Sequence, residues 1–256
     1  MRSRKSGGRD AKGVGDLTPA YTPVVWVVMR LALAMLCCSS LAHGGEAPEQ
    51  RLMRAHALVA QGQFDEAATE YLDLVFADPK GELAPNALRD AAACYERAQR
   101  FDLAEKIHSR LVNEYPSSKL ADGALFGAAL NAEKLLAFDK AIERYEKLVK
   151  DYPASTSREN ALSRIARLLD DTQRYPAAAI AYLRSADAYP KNPEAPRYQL
   201  RAAELYEREE EPAAELAALK AYVKKFGSRV GQDELNRVKQ RVAVLEQQAP
   251  DAGLAR

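Results

Sequence analysis

The sequence predicts an all-α solenoid of about five helix–turn–helix repeats closed by a C-terminal capping helix. Its main sign is a step of 37 residues. That step links Phe64, Phe101, Phe138 and Tyr175, then Ala67, Ala104, Ala141 and Ala178, then Ala55, Ala92, Ala129, Ala166 and Ala203. It also links Pro79, Pro116, Pro153 and Pro190, and more loosely Tyr71, His108, Tyr145 and Tyr182. Positions that hold register over so many copies mark a repeat array. A second sign is helical spacing inside the unit. In Phe138–Pro153, Ala141, Ile142, Tyr145, Leu148 and Val149 draw one apolar stripe, and Glu143–Lys147 and Glu146–Lys150 stand at the favourable i,i+4 order on the other face. The third is punctuation: four units close on a proline, which drives the residue before it out of the α region, and Gly227 holds that place in the fifth.

Taken in order, residues 1–23 are polar and without periodicity, and residues 24–42 read VVWVVMRLALAMLCCSSLA. As a membrane anchor this stretch carries Arg30 inside it, at a cost of about 2.5–3.5 kcal/mol near the bilayer centre. As a secretory signal starting at Met29 it has a short basic start, an apolar segment from Leu31 to Cys38, and the small-x-small site Ser40-Leu41-Ala42. Residues 1–42 are therefore expected to be an N-terminal extension and signal peptide cleaved after Ala42, and 43–47 a short linker. The alternative is a lipoprotein modified at Cys38, although Leu36 and Cys37 stand where small residues belong. With the signal removed only Cys94 remains, so no internal disulfide is expected, and its helical context suits a small buried hydrophobe.

Repeats are expected at 48–84, 85–121, 122–158, 159–195 and 196–232. Pro48, Pro85 and Pro196 stand where a first helical turn tolerates proline, Gln61-Gly62-Gln63 reads as a turn, and Ser117-Ser118, Ser155 and Asn192 are placed to cap the following helices. The alanines at fixed positions in both helices of a pair are expected at close crossings, where a packed interior leaves no room for further methylenes. Glu215 breaks the second-helix alanine series. Residues 233–247, with Leu235, Val238, Val242 and Leu245 at helical spacing, are the natural cap for the last apolar face. Residues 248–256 read as a flexible tail.

A small residue, alanine twelve positions on, an aromatic four further and proline eight beyond that resembles the tetratricopeptide repeat. Ala129, Ala141, Tyr145 and Pro153 match those positions, as do Ala55, Ala67, Tyr71 and Pro79, with Phe138 and Phe64 at the aromatic before the second alanine. His108 departs from the aromatic in the second copy. The longer unit and the Tyr-Pro-x-Ser stretches at Tyr115–Ser118 and Tyr152–Ser155 look like the periplasmic subclass. They are similar to the repeats of the outer-membrane barrel-assembly lipoprotein and of the Tol–Pal-associated cell-division coordinator. The resemblance implies a right-handed superhelix whose first helices line a concave, partner-binding face. Carried onto this sequence, that face takes Arg89, Phe126, Leu130, Arg164, Arg167 and Arg201: arginines that could grip carboxylates, and an apolar pair that could form a pocket. Ala93 and Ser163 stand where chaperone-binding members need Lys and Asn, so no chaperone ligand is expected.

Net charge is +1 and residues 1–42 hold six basic against two acidic groups, so the repeats carry no basic excess and no nucleic-acid partner is expected. The sequence contains no phosphate-binding loop, dinucleotide fingerprint, zinc-protease motif or nucleophile elbow. His43, His56 and His108 lack ligand spacing, with His108 at a packing position, and Asp170-Asp171 and Glu209–Glu211 read as solvated runs. No cofactor or metal is expected. The class that fits is a non-enzymatic periplasmic adaptor or scaffold for protein partners of the cell envelope. Membrane contact is expected only if the signal is uncleaved or lipidated, as in an alternative tethered subunit of an outer-membrane assembly complex.

Overall fold

The computed structural model describes residues 47–248. The signal region with Trp26, Met29, Cys37 and Cys38, the linker residue His43, and the tail beyond Gln248 lie outside the described residues. Among the described residues there are eleven α-helices and no strand. They are α1 (Pro48–Ala60), α2 (Phe64–Ala77), α3 (Ala84–Arg97), α4 (Phe101–Glu114), α5 (Ala121–Lys134), α6 (Phe138–Asp151), α7 (Arg158–Asp171), α8 (Tyr175–Ala188), α9 (Ala195–Arg208), α10 (Pro212–Phe226) and α11 (Gln232–Gln248). Each packs on the helix before and the helix after it, so ten of them form five successive pairs and α11 follows as the last layer.

The repeated alanines are the crossing points. Ala55, Ala92, Ala129 and Ala166 of the first helices and Ala67, Ala104, Ala141 and Ala178 of the second are all inaccessible to solvent. Between them sit Tyr145, Leu88, Leu111, Leu148, Leu162 and Ile165, the largest fully buried side chains of the inner repeats. Cys94 is buried as a hydrophobe would be, and burial pushes its thiol up to about 11, out of the reactive range. Leu235, Val238 and Leu245 of α11 are buried and Val242 packs against the core, closing the apolar face of the fifth pair.

One turn geometry recurs inside every pair. Gly62, Gln99, Leu136, Gln173 and Glu210, each 37 residues from the next, have φ of 77°, 59°, 57°, 59° and 58°. Around them the hydrogen bonds Gln99 N to Glu96 O and Arg100 N to Tyr95 O, with their counterparts in the other pairs, make a Schellman ending. Only the first copy uses the glycine this conformation favours.

The turns between pairs correct the expected caps. Ser118 Oγ accepts from Leu120 N (3.2 Å), Ser155 Oγ from Ser157 N (3.1 Å) and Asn192 Oδ1 from Glu194 N (2.7 Å). These side chains thus close a tight turn just ahead of the helix. The residues at the N-caps are Leu120, Ser157 and Glu194, none with a side-chain cap bond. The tyrosine of the Tyr-Pro stretch works across repeats: Tyr115 donates to Pro79 O (2.5 Å) and Tyr152 to Pro116 O (3.3 Å). Two expected surface pairs on α6 are also rewired. Lys147 pairs with Asp151 (2.8 Å), and Glu146 receives Arg184 of the next repeat on both oxygens at 2.8 Å.

Candidate functional site

A ladder of carboxylates runs along the inner ends of the first helices. Glu96, Glu133, Asp170 and Glu207 are 37 residues apart; the first three are each met by a side chain of their own repeat and one of the next, and Glu207 by the end helix. In the third repeat, Tyr145 donates to Glu133 (2.5 Å) and Arg164 of α7 reaches the other oxygen (2.8 Å). One repeat on, Tyr182 donates to Asp170 (3.3 Å), which Arg201 of α9 grips bidentately at 2.8 and 3.0 Å. Glu207 is met by Arg241 of α11 at 2.9 Å. Burial, then the neighbouring carboxylate, raises the phenols of Tyr145 and Tyr182 well above their ordinary range, so both stay donors. The hydrogen bonds that Arg201 donates to Asp170 raise its guanidinium above its already high ordinary range.

At the second repeat the rung changes chemistry. His108 stands where the next two rungs have Tyr145 and Tyr182, and Gly127 stands where α7 and α9 have Arg164 and Arg201. His108 Nε2 lies 3.0 Å from Glu96 Oε1, and Asn131 Nδ2 donates to the same oxygen (2.7 Å) and to Gly127 O (2.8 Å). Burial works to raise the Glu96 carboxyl, but the bonds from His108 and Asn131 outweigh it and hold it below the ordinary carboxylate range. His108 is therefore a packed, hydrogen-bonded member of the ladder.

The ladder revises the role of two arginines. Arg164 and Arg201 were expected to offer free charge to a partner; their carboxylate partners lie within the chain. Asp170, expected in solvent, is the partner of Arg201, and Glu133 that of Arg164. Arg89 pairs with its neighbour Asp90 at 2.8 Å. Arg167 is different. It is exposed, makes no ion pair among the described residues, and rests on Tyr198, 6.0 Å from the ring centroid with the hydroxyl at 3.4 Å.

Two adjoining clefts open along α5, α7 and α9, and Arg167 lines both. The larger, about 600 Å³, is bounded by Phe126, Asn160, Ser163, Arg164, Leu168, Asp171 and Glu194. The second, about 410 Å³, runs on past Tyr198, Arg197 and Arg201 towards Glu234 of α11. Phe126 is half-buried against Tyr145, ring centroids 5.4 Å apart. Leu130 faces a separate recess of about 350 Å³ with Phe101 and Lys134. The expected site residues thus divide: Phe126, Arg164, Arg167 and Arg201 share the two clefts, Leu130 borders another, and Arg89 lies on α3 beside none of these three. Tyr198, Asp171 and Glu194 were missed. The carboxylate ladder could have been found by the same step of 37, whereas Tyr198, whose counterparts are Ala161 and Ala124, gives no repeating sign.

Among the described residues no cluster of His, Cys, Asp or Glu could hold a metal ion, and no helix is long and apolar enough to cross a membrane. No curated protein matches the chain by sequence. In structure it is similar to the MamA protein, with TM-score 0.51, 16% identity, and coverage of 72% of this chain and 94% of that one. It is also similar to a tetratricopeptide repeat protein from Parabacteroides merdae ATCC 43184, with TM-score 0.50, 16% identity, and coverage of 78% and 73%. At such identity the likeness concerns the fold. The model of the tetratricopeptide repeat matches residues 52–119 and 126–193, more than half of the sequence. The chain belongs to the tetratricopeptide repeat family.

Proposed function

We propose that this protein is a non-enzymatic adaptor of the cell envelope, exported to the periplasm, that holds a peptide or partner helix of an envelope protein in the clefts along α5, α7 and α9. The family's fold is that of a protein-interaction scaffold. The observation that carries the reading is Arg167: an exposed cation with no ion pair among the described residues, set between two adjoining clefts that both include Tyr198. Arg164 and Arg201 are paired within the chain, which leaves the charge of Arg167 in the clefts to an outside group.

A photo-crosslinking residue at Ser163 is expected to trap envelope proteins, and one at Glu143 on the outer face of α6 is not; equal adducts from both would overturn the groove. Alanine at Arg167 is expected to weaken capture more than alanine at Arg89. Export is supported by the sequence of residues 29–42 and is tested by protease protection in intact cells against spheroplasts, with protection in both placing the protein inside the cytoplasm. The alternative of a lipid-held or signal-anchored subunit predicts release only by detergent.

A further inference from the structure

We infer that the larger cleft recognises an extended peptide carrying one acidic and one basic side chain two positions apart. This deepens the groove reading above and rests on it. Arg167 and Asp171 lie four residues apart on α7, which is about 6 Å along the helix axis. Side chains on one face of an extended peptide repeat every second residue, about 6.6 Å apart. The two spacings agree, so a strand laid along α7 sets its i and i+2 side chains opposite Arg167 and Asp171.

Both groups face the same cleft, yet neither has an ion-pair partner among the described residues, including each other. An internal pair between them would have the less favourable order, with arginine ahead of the acid. Asp171 also breaks a pattern. At the same place in the other repeats, Arg97 lies over the Phe64 ring (5.7 Å), Lys134 over Phe101 (5.1 Å) and Arg208 over Tyr175 (4.1 Å). At Phe138 the cation is replaced by Asp171, at the end of a helix where a negative charge is disfavoured. The substitution forfeits a stabilising contact and a favourable charge, and places an acid beside the exposed arginine in the cleft. A ligand with paired opposite charges satisfies both.

The test uses the full chain and fluorescein-labelled peptides Gly-Ser-X-Val-Z-Ser-Gly, with X and Z drawn from Glu, Lys and Gln, read by fluorescence anisotropy. Peptides with Glu and Lys at X and Z, in either order, are expected to bind about fivefold more tightly than Glu-Glu or Lys-Lys peptides. Arg167→Glu is expected to shift the preference to Lys-Lys, and Asp171→Arg to Glu-Glu. Identical rankings for the three proteins overturn the inference. Ser163→Trp, which fills the cleft, separates this from the broader reading. Loss of all peptides on Ser163→Trp without any reordering by the charge variants leaves a peptide groove and removes the charge rule, while absence of binding to every protein removes both.

Discussion

Gly127→Ala in the middle of α5 should destabilise the protein, against helix propensity. An interior glycine replaced by alanine ordinarily gains about 0.8–1 kcal/mol. Here the added Cβ would stand 2.6 Å from His108 Nε2 and 2.8 Å from Cε1. The ring is only 7% exposed and is bonded to Glu96, so making room means moving a packed imidazole off a carboxylate. A hydrogen bond to a charged group is worth about 1.5–3 kcal/mol, and losing much of it outweighs the propensity gain. The expected result is a net loss of about 1–2 kcal/mol, seen as a fall of about 3–6 °C in Tm by circular dichroism. In a His108→Ala background the obstacle is gone, and the same substitution should stabilise by up to about 1 kcal/mol. A gain from Gly127→Ala in the otherwise unchanged protein would refute the reasoning, because it would mean that the imidazole is not held where Glu96 and Gly127 place it.

Leu136→Gly should raise stability by about 0.5–1 kcal/mol in urea unfolding, since Leu136 is 73% exposed at φ 57° and little packing is lost. Arg241→Ala should cost about 2–4 kcal/mol by the same assay, because it strands Glu215, 3% exposed and gripped by Arg241 at 2.6 and 2.9 Å. Adding Glu215→Ala, which restores the residue found in the other repeats, should recover most of that loss. Asp171→Arg should stabilise by about 0.5–1 kcal/mol through a cation over Phe138, so its effect on Tm and on peptide choice should be opposite in value to the protein. Because the bonds from His108 and Asn131 hold the Glu96 carboxyl below the ordinary carboxylate range in the folded state, its contribution is present above that range and is lost as pH falls through the lower folded value. Melting temperatures followed downward from pH 4.5 should therefore drop less steeply in Glu96→Gln than in the parent.

Much of the fold was legible because it depends on what side chains are, repeated at fixed intervals. Ala129 and Ala141 had to be small wherever two helices cross, and the step of 37 exposed that requirement without any coordinates. The turn at Leu136 was less legible: its left-handed backbone is imposed by the pairs it joins, and leucine carries no sign of it. Ser155 shows the same limit, being polar enough for a cap yet used two residues early. The site was legible as a face and not as a set of partners. Arg164, Arg167 and Arg201 read alike, since helical spacing says only that all three point inward. What separates them is which carboxylate sits across the joint, and that is a fact about two helices at once. Glu215 was visible as a defect in the alanine series; its remedy, Arg241, lies in the cap and outside the repeat register.

Glu133 and Asp170 each accept from a tyrosine of their own repeat and an arginine of the next. Removing either donor therefore alters both the repeat and its junction, so in a nearest-neighbour description of a solenoid the intrinsic and coupling terms cannot be assigned to separate residues. Arg164, Arg201 and Arg241 carry this sharing from the third repeat through to the end helix, while the first repeat has Val59 in the carboxylate's place. The array is accordingly lopsided: amide hydrogen exchange is expected to show stronger protection in the C-terminal repeats, where these shared carboxylates lie, than in the N-terminal pair.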